Sequence, residues 1–140
     1  RIVNRIRELP PLNWSGRSLV VDYNRVDVPM QAMVEKRLKL QKVMVRYAGL
    51  RRDEESLSKG LEELRRQRPI FQSALFKKEE FEFANMLTCS LLITQAALAR
   101  KESRGAHYRS DYPERDDLFW RKHLLQQREH EIVGEVSDDV

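Results

Sequence analysis

Residues 100–113 carry more chemistry than a chain turn requires. They read Arg-Lys-Glu-Ser-Arg-Gly-Ala-His-Tyr-Arg-Ser-Asp-Tyr-Pro. Arg100, Arg104 and Arg109 bring permanently charged planar forks, which grip carboxylates through paired hydrogen bonds. Glu102 and Asp111 are the acids nearest to them in sequence. His107 titrates near neutral pH. Tyr108 and Tyr112 supply hydroxyls, and Gly105 permits a turn that other residues resist. This set is suited to charge-assisted docking. It is poorly suited to nucleophilic catalysis. Ser103 with His107 lacks a defined orienting acid, because a chain this charged offers an acid everywhere.

Other chemistries lack their residues. The five glycines are scattered at 16, 49, 60, 105 and 134, so neither a phosphate loop nor a dinucleotide fingerprint can be assembled. His107, His123 and His130 have no metal-ligand spacing, and the lone Cys89 adds no second thiol. The net charge is +4, but 22 acids are interspersed among 26 basic residues, so nucleic acid is not an expected partner. No unbroken apolar run approaches the ~20 residues that span a bilayer, and no direct membrane insertion is expected. A single cysteine fits a reducing compartment, and the expected location is cytoplasmic. Arg1 is not an initiator residue, so the chain is expected to be a piece of a longer protein.

The elements that must position residues 100–113 read as helices. Residues 1–28 form an irregular linker, interrupted by Pro10-Pro11 and a turn at Trp14-Ser15-Gly16, with a short extended piece at 19–21. Residues 29–125 form an all-α, up-down-up three-helix bundle. Its first helix starts near Pro29, capped by Asp27, and ends at Gly49. Met33, Leu40, Met44 and Tyr47 make its stripe, widened by Val34, Leu38, Val45 and Ala48. Asp53 caps the second helix, Leu57, Leu61 and Leu64 form its apolar face, and Pro69 closes it. The third helix runs from about 78 to about 103 on a stripe of Phe83, Leu87, Leu91, Thr94 and Leu98, and Gly105 ends it. A last helix over 114–127 carries Leu118, Trp120, Leu124 and Leu125. Residues 126–140 form a polar tail, frayed from 135 onward.

The run from Ala96 through Glu102-Ser103-Arg104-Gly105-Ala106-His107 to Pro113 resembles the C-terminal helical domain of the succinate dehydrogenase and fumarate reductase flavoprotein family, which includes L-aspartate oxidase. Three further segments agree. Met44 to Leu57 resembles the end of the family's first bundle helix and its turn. Asn85-Met86-Leu87 resembles the start of its long helix, and Pro113-Glu114-Arg115-Asp116-Asp117 with Trp120 and His123 resembles the run after the glycine turn. Tyr108 after His107 is similar to the aspartate oxidase version.

The resemblance implies a domain of an FAD-dependent oxidoreductase that turns L-aspartate into iminoaspartate in NAD biosynthesis. FAD would be held in the full-length protein and not by this span, and no catalytic, cofactor-binding or metal-binding residue is carried over. The implied partners are the flavin-binding and capping domains of the same polypeptide. The inter-domain contact would comprise Arg100, Glu102, Arg104, Gly105, His107, Tyr108, Arg109, Asp111 and Tyr112. The alternative is the same domain of a succinate dehydrogenase or fumarate reductase flavoprotein subunit, with an iron-sulfur subunit as partner. A free-standing helical interaction module is the reading from another class.

Overall fold

The computed structural model describes residues 29–126 and 132–137. The expected linker over 1–28, its extended piece and the Asp27 cap lie outside the described residues. Three helices pack mutually, α1 (Met30–Tyr47), α2 (Glu54–Arg65) and α3 (Lys78–Ala99). Arg37 of α1 meets Glu82 of α3, and Met44 meets Thr94, so α1 and α3 run parallel with α2 returning between them. This is the expected up-down-up bundle.

Met33, Leu40 and Val43 of α1 join Leu64, Ile70, Phe83 and Leu87 in one core cluster, with Met44 and Tyr47 packed against it. The widening expected on α1 holds at Ala48, which is buried, and is corrected at the other three positions. Val34, Leu38 and Val45 are exposed, Val45 by 78%. They lie roughly a third of a turn from the core arc by the 100° step of a helix. Both partner helices sit on the arc that holds Val43, which the expected stripe omitted. α1 stops at Ala48, whose N–H bonds Met44 O. A Cβ at Gly49 would stand 2.6 Å from Val45 O, so the chain can leave the helix this closely only with glycine there.

Asp53 caps α2 as expected, its side chain accepting from Ser56 N at 2.8 Å. Leu57, Leu61 and Leu64 are buried. Pro69 does not close α2. The helix has already ended at Arg65, and Pro69 instead opens a 3-10 turn, Arg68–Gln72, that sends Ile70 into the core. Proline suits that role because its missing N–H is not needed in a first turn.

The core face of α3 is Phe83, Ala84, Leu87, Ser90, Thr94 and Ala97. Leu91 and Leu98 sit at its margins, packed against the clusters but only partly buried. By length and composition alone this helix is long and apolar enough to cross a membrane, although the sequence holds no unbroken run of that size. Here its apolar face is the core of the bundle.

The expected helix over 114–127 is replaced. One turn, α4 (Asp117–Trp120), is capped by Asp116, and then β3 (Lys122–Gln126) pairs antiparallel with β4 (Ile132–Ser137). The reason is periodic. Leu124 is half-buried while His123 and Leu125 are exposed, an alternation of two and not of 3.6. The tail is therefore paired as far as Ser137, not frayed from 135.

Candidate functional site

The expected end of α3 near 103 is also corrected, and the correction defines the site. α3 ends at Ala99, leaving its last carbonyls without helical partners. Arg109 supplies the donors. Its Nη1 donates to Ala97 O at 2.9 Å, Leu98 O at 3.1 Å and Arg100 O at 3.2 Å. Gly105 does not terminate α3. With φ at 58°, it makes a tight turn closed by reciprocal backbone bonds between Arg104 and His107.

That turn delivers β2 (Tyr108–Arg109) to β1 (Arg51–Arg52), with Arg51 beside Tyr108 and Arg52 beside Arg109 in parallel register. Ser110 N then bonds Arg52 O at 2.7 Å. Ser103 Oγ accepts from Arg109 N at 2.9 Å and donates to Tyr112 O at 2.8 Å. Ser103 is thus a strut of this loop.

Two ion-pair centres organise the segment. In the first, Arg109 Nε and Nη2 grip the two oxygens of Asp111, each at 2.7 Å. Asp111 Oδ2 also accepts from Glu54 N at 2.9 Å. One ion pair therefore joins the carbonyl end of α3 to the N–H end of α2, each charge facing the complementary helix dipole. The Arg109 bonds hold the Asp111 carboxyl down at about 2. The Tyr112 ring lies 5.0 Å from the Arg109 guanidinium, within cation–π range.

In the second centre, Glu102 is fully buried and accepts from Arg100, from Arg104 Nε at 2.8 Å and from Asp116 N at 3.0 Å. Burial would raise its pKa, but the bonds from Arg104, Asp116 and Arg100 outweigh burial and lower it. Arg100 continues outward to Trp120 O at 2.9 Å and Lys122 O at 2.6 Å, which anchors the hairpin to the bundle.

His107 is held neutral between arginines. Arg52 Nη1 lies 2.9 Å from its Nδ1, and Arg100 O lies 3.4 Å from its Nε2. A guanidinium only donates, so Nδ1 accepts and the proton resides on Nε2. Burial is the largest influence pushing this imidazole below its ordinary pKa. The Arg100 carbonyl acts against that, and the charges of Arg52, Arg109 and Arg100 reinforce it.

The expected contact list therefore divides. Glu102 and Arg109 have no exposed surface even in this chain alone, so their side chains are internal struts and not contact groups. Gly105, Tyr108 and Asp111 are exposed, and Arg100, Arg104, His107 and Tyr112 lie between. Arg52 belongs to the site although no role was expected for it. Its signal in the sequence is slight, the second of two arginines after Gly49. None of these groups forms a nucleophile–base pair with a free lone pair.

The residues present do not fit FAD either. The two strands at the site are two residues each, and no glycine-rich turn joins a strand to a helix among the described residues. Among these residues no group of three His, Cys, Asp or Glu side chains could hold a metal.

Residues 37–136 match the family described as Fumarate reductase flavoprotein C-term. A succinate dehydrogenase flavoprotein subunit from Rickettsia conorii is 39% identical over 105 residues, covering 66% of this chain and 17% of that protein. An L-aspartate oxidase from Streptomyces coelicolor is 31% identical over 99 residues, covering 65% of this chain and 17% of its own. Among solved structures, Mycobacterium smegmatis Sdh1 in complex with UQ1 aligns with a TM-score of 0.57 at 26% identity, over 74% of this chain and 20% of that one. The chain thus spans a fifth or less of the length of these relatives. The helical bundle, its glycine turn and the matched span agree, and the chain belongs to the C-terminal domain family of succinate dehydrogenase and fumarate reductase flavoproteins, whose relatives also include L-aspartate oxidase.

Proposed function

We propose that this chain is the C-terminal helical domain of an FAD-dependent oxidoreductase acting on a small dicarboxylate, and that its work is to pack on the flavin-binding and capping domains of the same polypeptide. The observation that carries this is the state of residues 100–117. The charged side chains of Arg100, Glu102, Arg104, Arg109, Asp111 and Asp117 are committed to backbone groups and internal ion pairs, which makes a rigid platform without a reacting group. The bundle also exposes Met30, Val34, Leu38 and Val45 along one side of α1, apolar surface that a larger protein would cover.

Within the family, the succinate dehydrogenase or fumarate reductase flavoprotein subunit is the first reading. The 39% identity to the Rickettsia subunit supports it. An iron-sulfur subunit would then be a further partner. The second reading is L-aspartate oxidase, forming iminoaspartate for NAD biosynthesis in the cytoplasm. Tyr108 after His107 and the 31% identity to the Streptomyces oxidase favour it. Substrate turnover by the full-length protein separates them. Succinate oxidation with a dye acceptor supports the first, and iminoaspartate from L-aspartate supports the second. Turnover of neither, in a protein that holds FAD, would remove both. The isolated 140-residue chain is expected to fold without flavin, and a yellow chain with stoichiometric FAD would overturn the packing role.

A further inference from the structure

One cation of the site has no counter-charge among the described residues. Arg37, Arg52, Arg100, Arg104 and Arg109 are the described arginines that are not exposed. Arg37 pairs with Glu82, Arg100 and Arg104 with Glu102, and Arg109 with Asp111. Arg52 pairs with no carboxylate among the described residues. Its Nε donates to Gly49 O at 2.8 Å and its Nη1 to His107 Nδ1 at 2.9 Å, both neutral acceptors. Its Nη2 has no acceptor among the described residues. Burial lowers the pKa of this guanidinium, with no acid acting in the other direction. The adjacent Arg51 is exposed and also has no carboxylate partner among the described residues, so it adds to the positive potential. A partly desolvated cation left without a counter-charge is unfavourable, and the other four arginines of this class all avoid that condition.

The surface around Arg52 indicates what kind of anion would answer it. Two surface grooves, of about 410 and 280 Å3, run along α1 between Leu38 and Tyr47. Neither touches Arg52. Arg51 beside it and Tyr108, the register partner of Arg51, are exposed. An open surface of this kind suits a carboxylate carried on an opposing protein surface.

We propose that Arg52 is the receiving point for an Asp or Glu side chain presented by the rest of the flavoprotein. This rests on the packing role above and makes it specific. The inter-domain ion pair is formed by the unpaired Arg52, not by Arg104 or Arg109, whose carboxylates are already in place. The remaining Nη2 donors suit a charge-assisted bond to a carboxylate.

The test is zero-length cross-linking in the full-length flavoprotein. Arg52→Lys keeps the positive charge and supplies an amine that a carbodiimide joins to a touching carboxylate. Arginine does not react in this way. The expected product is an amide between position 52 and an Asp or Glu outside this 140-residue span. It should be absent from the parent and from Arg52→Gln. A product that joins position 52 to any acid within this 140-residue span, or one joining two copies in isotopically mixed samples, would overturn the proposal. So would the absence of any position-52 product while Lys59 or Lys101 links to the flavin domain, because the domains would then be docked through another point. If no lysine of this span links beyond it and limited proteolysis releases the span freely, the packing role itself fails and this pairing fails with it.

Discussion

The bundle core and the latch at its end are held by opposite chemistry. The core is Met33, Leu40, Val43, Leu64, Ile70, Phe83 and Leu87, all apolar. The latch buries Glu102 and Arg109 as completely as the core buries Leu87. Apolar burial is graded, so losing a methylene loses a fraction of the energy. A buried ion pair is conditional, because removing one partner strands the other. The core accordingly sets how stable the bundle is. The latch sets where the chain after α3 must go, since only one path brings Arg109 to three carbonyls and Asp111 to the start of α2.

The sharpest way to break this contrast is to place the chemistry of one region in the other. Leu87→Asp puts an unpaired carboxylate in the centre of the core, where Leu87 has no exposed surface. The expected cost is several kcal/mol, comparable with the ~5–15 kcal/mol that holds a domain together. The far-ultraviolet helical signal should be lost at room temperature. An unchanged cooperative melt would mean that the core is misplaced. Leu91→Asp should be milder, since Leu91 is only partly buried at the margin.

The converse change empties the latch. Arg109→Ala strands Asp111 and removes the donor to Ala97 O, Leu98 O and Arg100 O. Asp111 is exposed and stays solvated, so the stranded carbonyls set the loss, about 1–3 kcal/mol in urea unfolding. Arg109→Lys should recover less than half of it, because an ammonium cannot grip two carboxylate oxygens and three carbonyls together. Full recovery by lysine would reduce the latch to a simple point charge.

The same contrast governs what could be read in the sequence. Leu57, Leu61 and Leu64 announce their helix face because apolar packing repeats with the helix turn. Asp53 announces its cap because capping is local. Arg109 shows nothing comparable, since its partners are main-chain carbonyls 9 to 12 residues back. Charged clusters in sequence look alike whether they face water or each other, so nothing in the sequence marks Glu102 and Arg109 as interior. The end of α3 is hidden in the sequence for the same reason. Nothing local stops a helix at Ala99, and a distant guanidinium takes over its carbonyls. The hairpin of β3 and β4 is hidden in the sequence because Leu124 and Leu125 are adjacent, and adjacency alone does not distinguish a period of two from one of 3.6.

A smaller change sharpens the role of helix ends. Asp53→Ala removes the bonds to Ser56 N and Oγ, at 2.8 and 2.9 Å, but leaves Asp111 on Glu54 N. A loss of about 1 kcal/mol is expected by urea unfolding, the usual size for an N-cap. A loss as large as that of Arg109→Ala would mean that the two caps act as one unit, and the double variant would then lose no more than the larger single loss.

The smallest expected effect is a pH dependence confined to the latch, and His107 is its source. Its ring faces Arg52 from β1, Arg100 beyond the end of α3 and Arg109 from β2. Protonating Nδ1 would remove the acceptor that Arg52 uses and add a fourth cation to the three. Burial first, then those charges, place its folded pKa below the ordinary 6.5. Between the lowered value and 6.5 the unfolded chain therefore binds more protons than the folded one. Stability from neutral His107 is fully present above about pH 6.5 and is lost as pH falls toward and through the folded value. Asp111 cannot imitate this, because its carboxyl, held at about 2, contributes its own losses only below its ordinary 3.8. Urea midpoints of the parent should fall from pH 7 to pH 5, and those of His107→Gln should fall less. Above pH 7 the difference between the two proteins should be flat. A parent midpoint that rises on acidification would require a raised His107 pKa, hence a carboxylate beside the ring in place of three arginines, and would reverse the electrostatic reading of the latch.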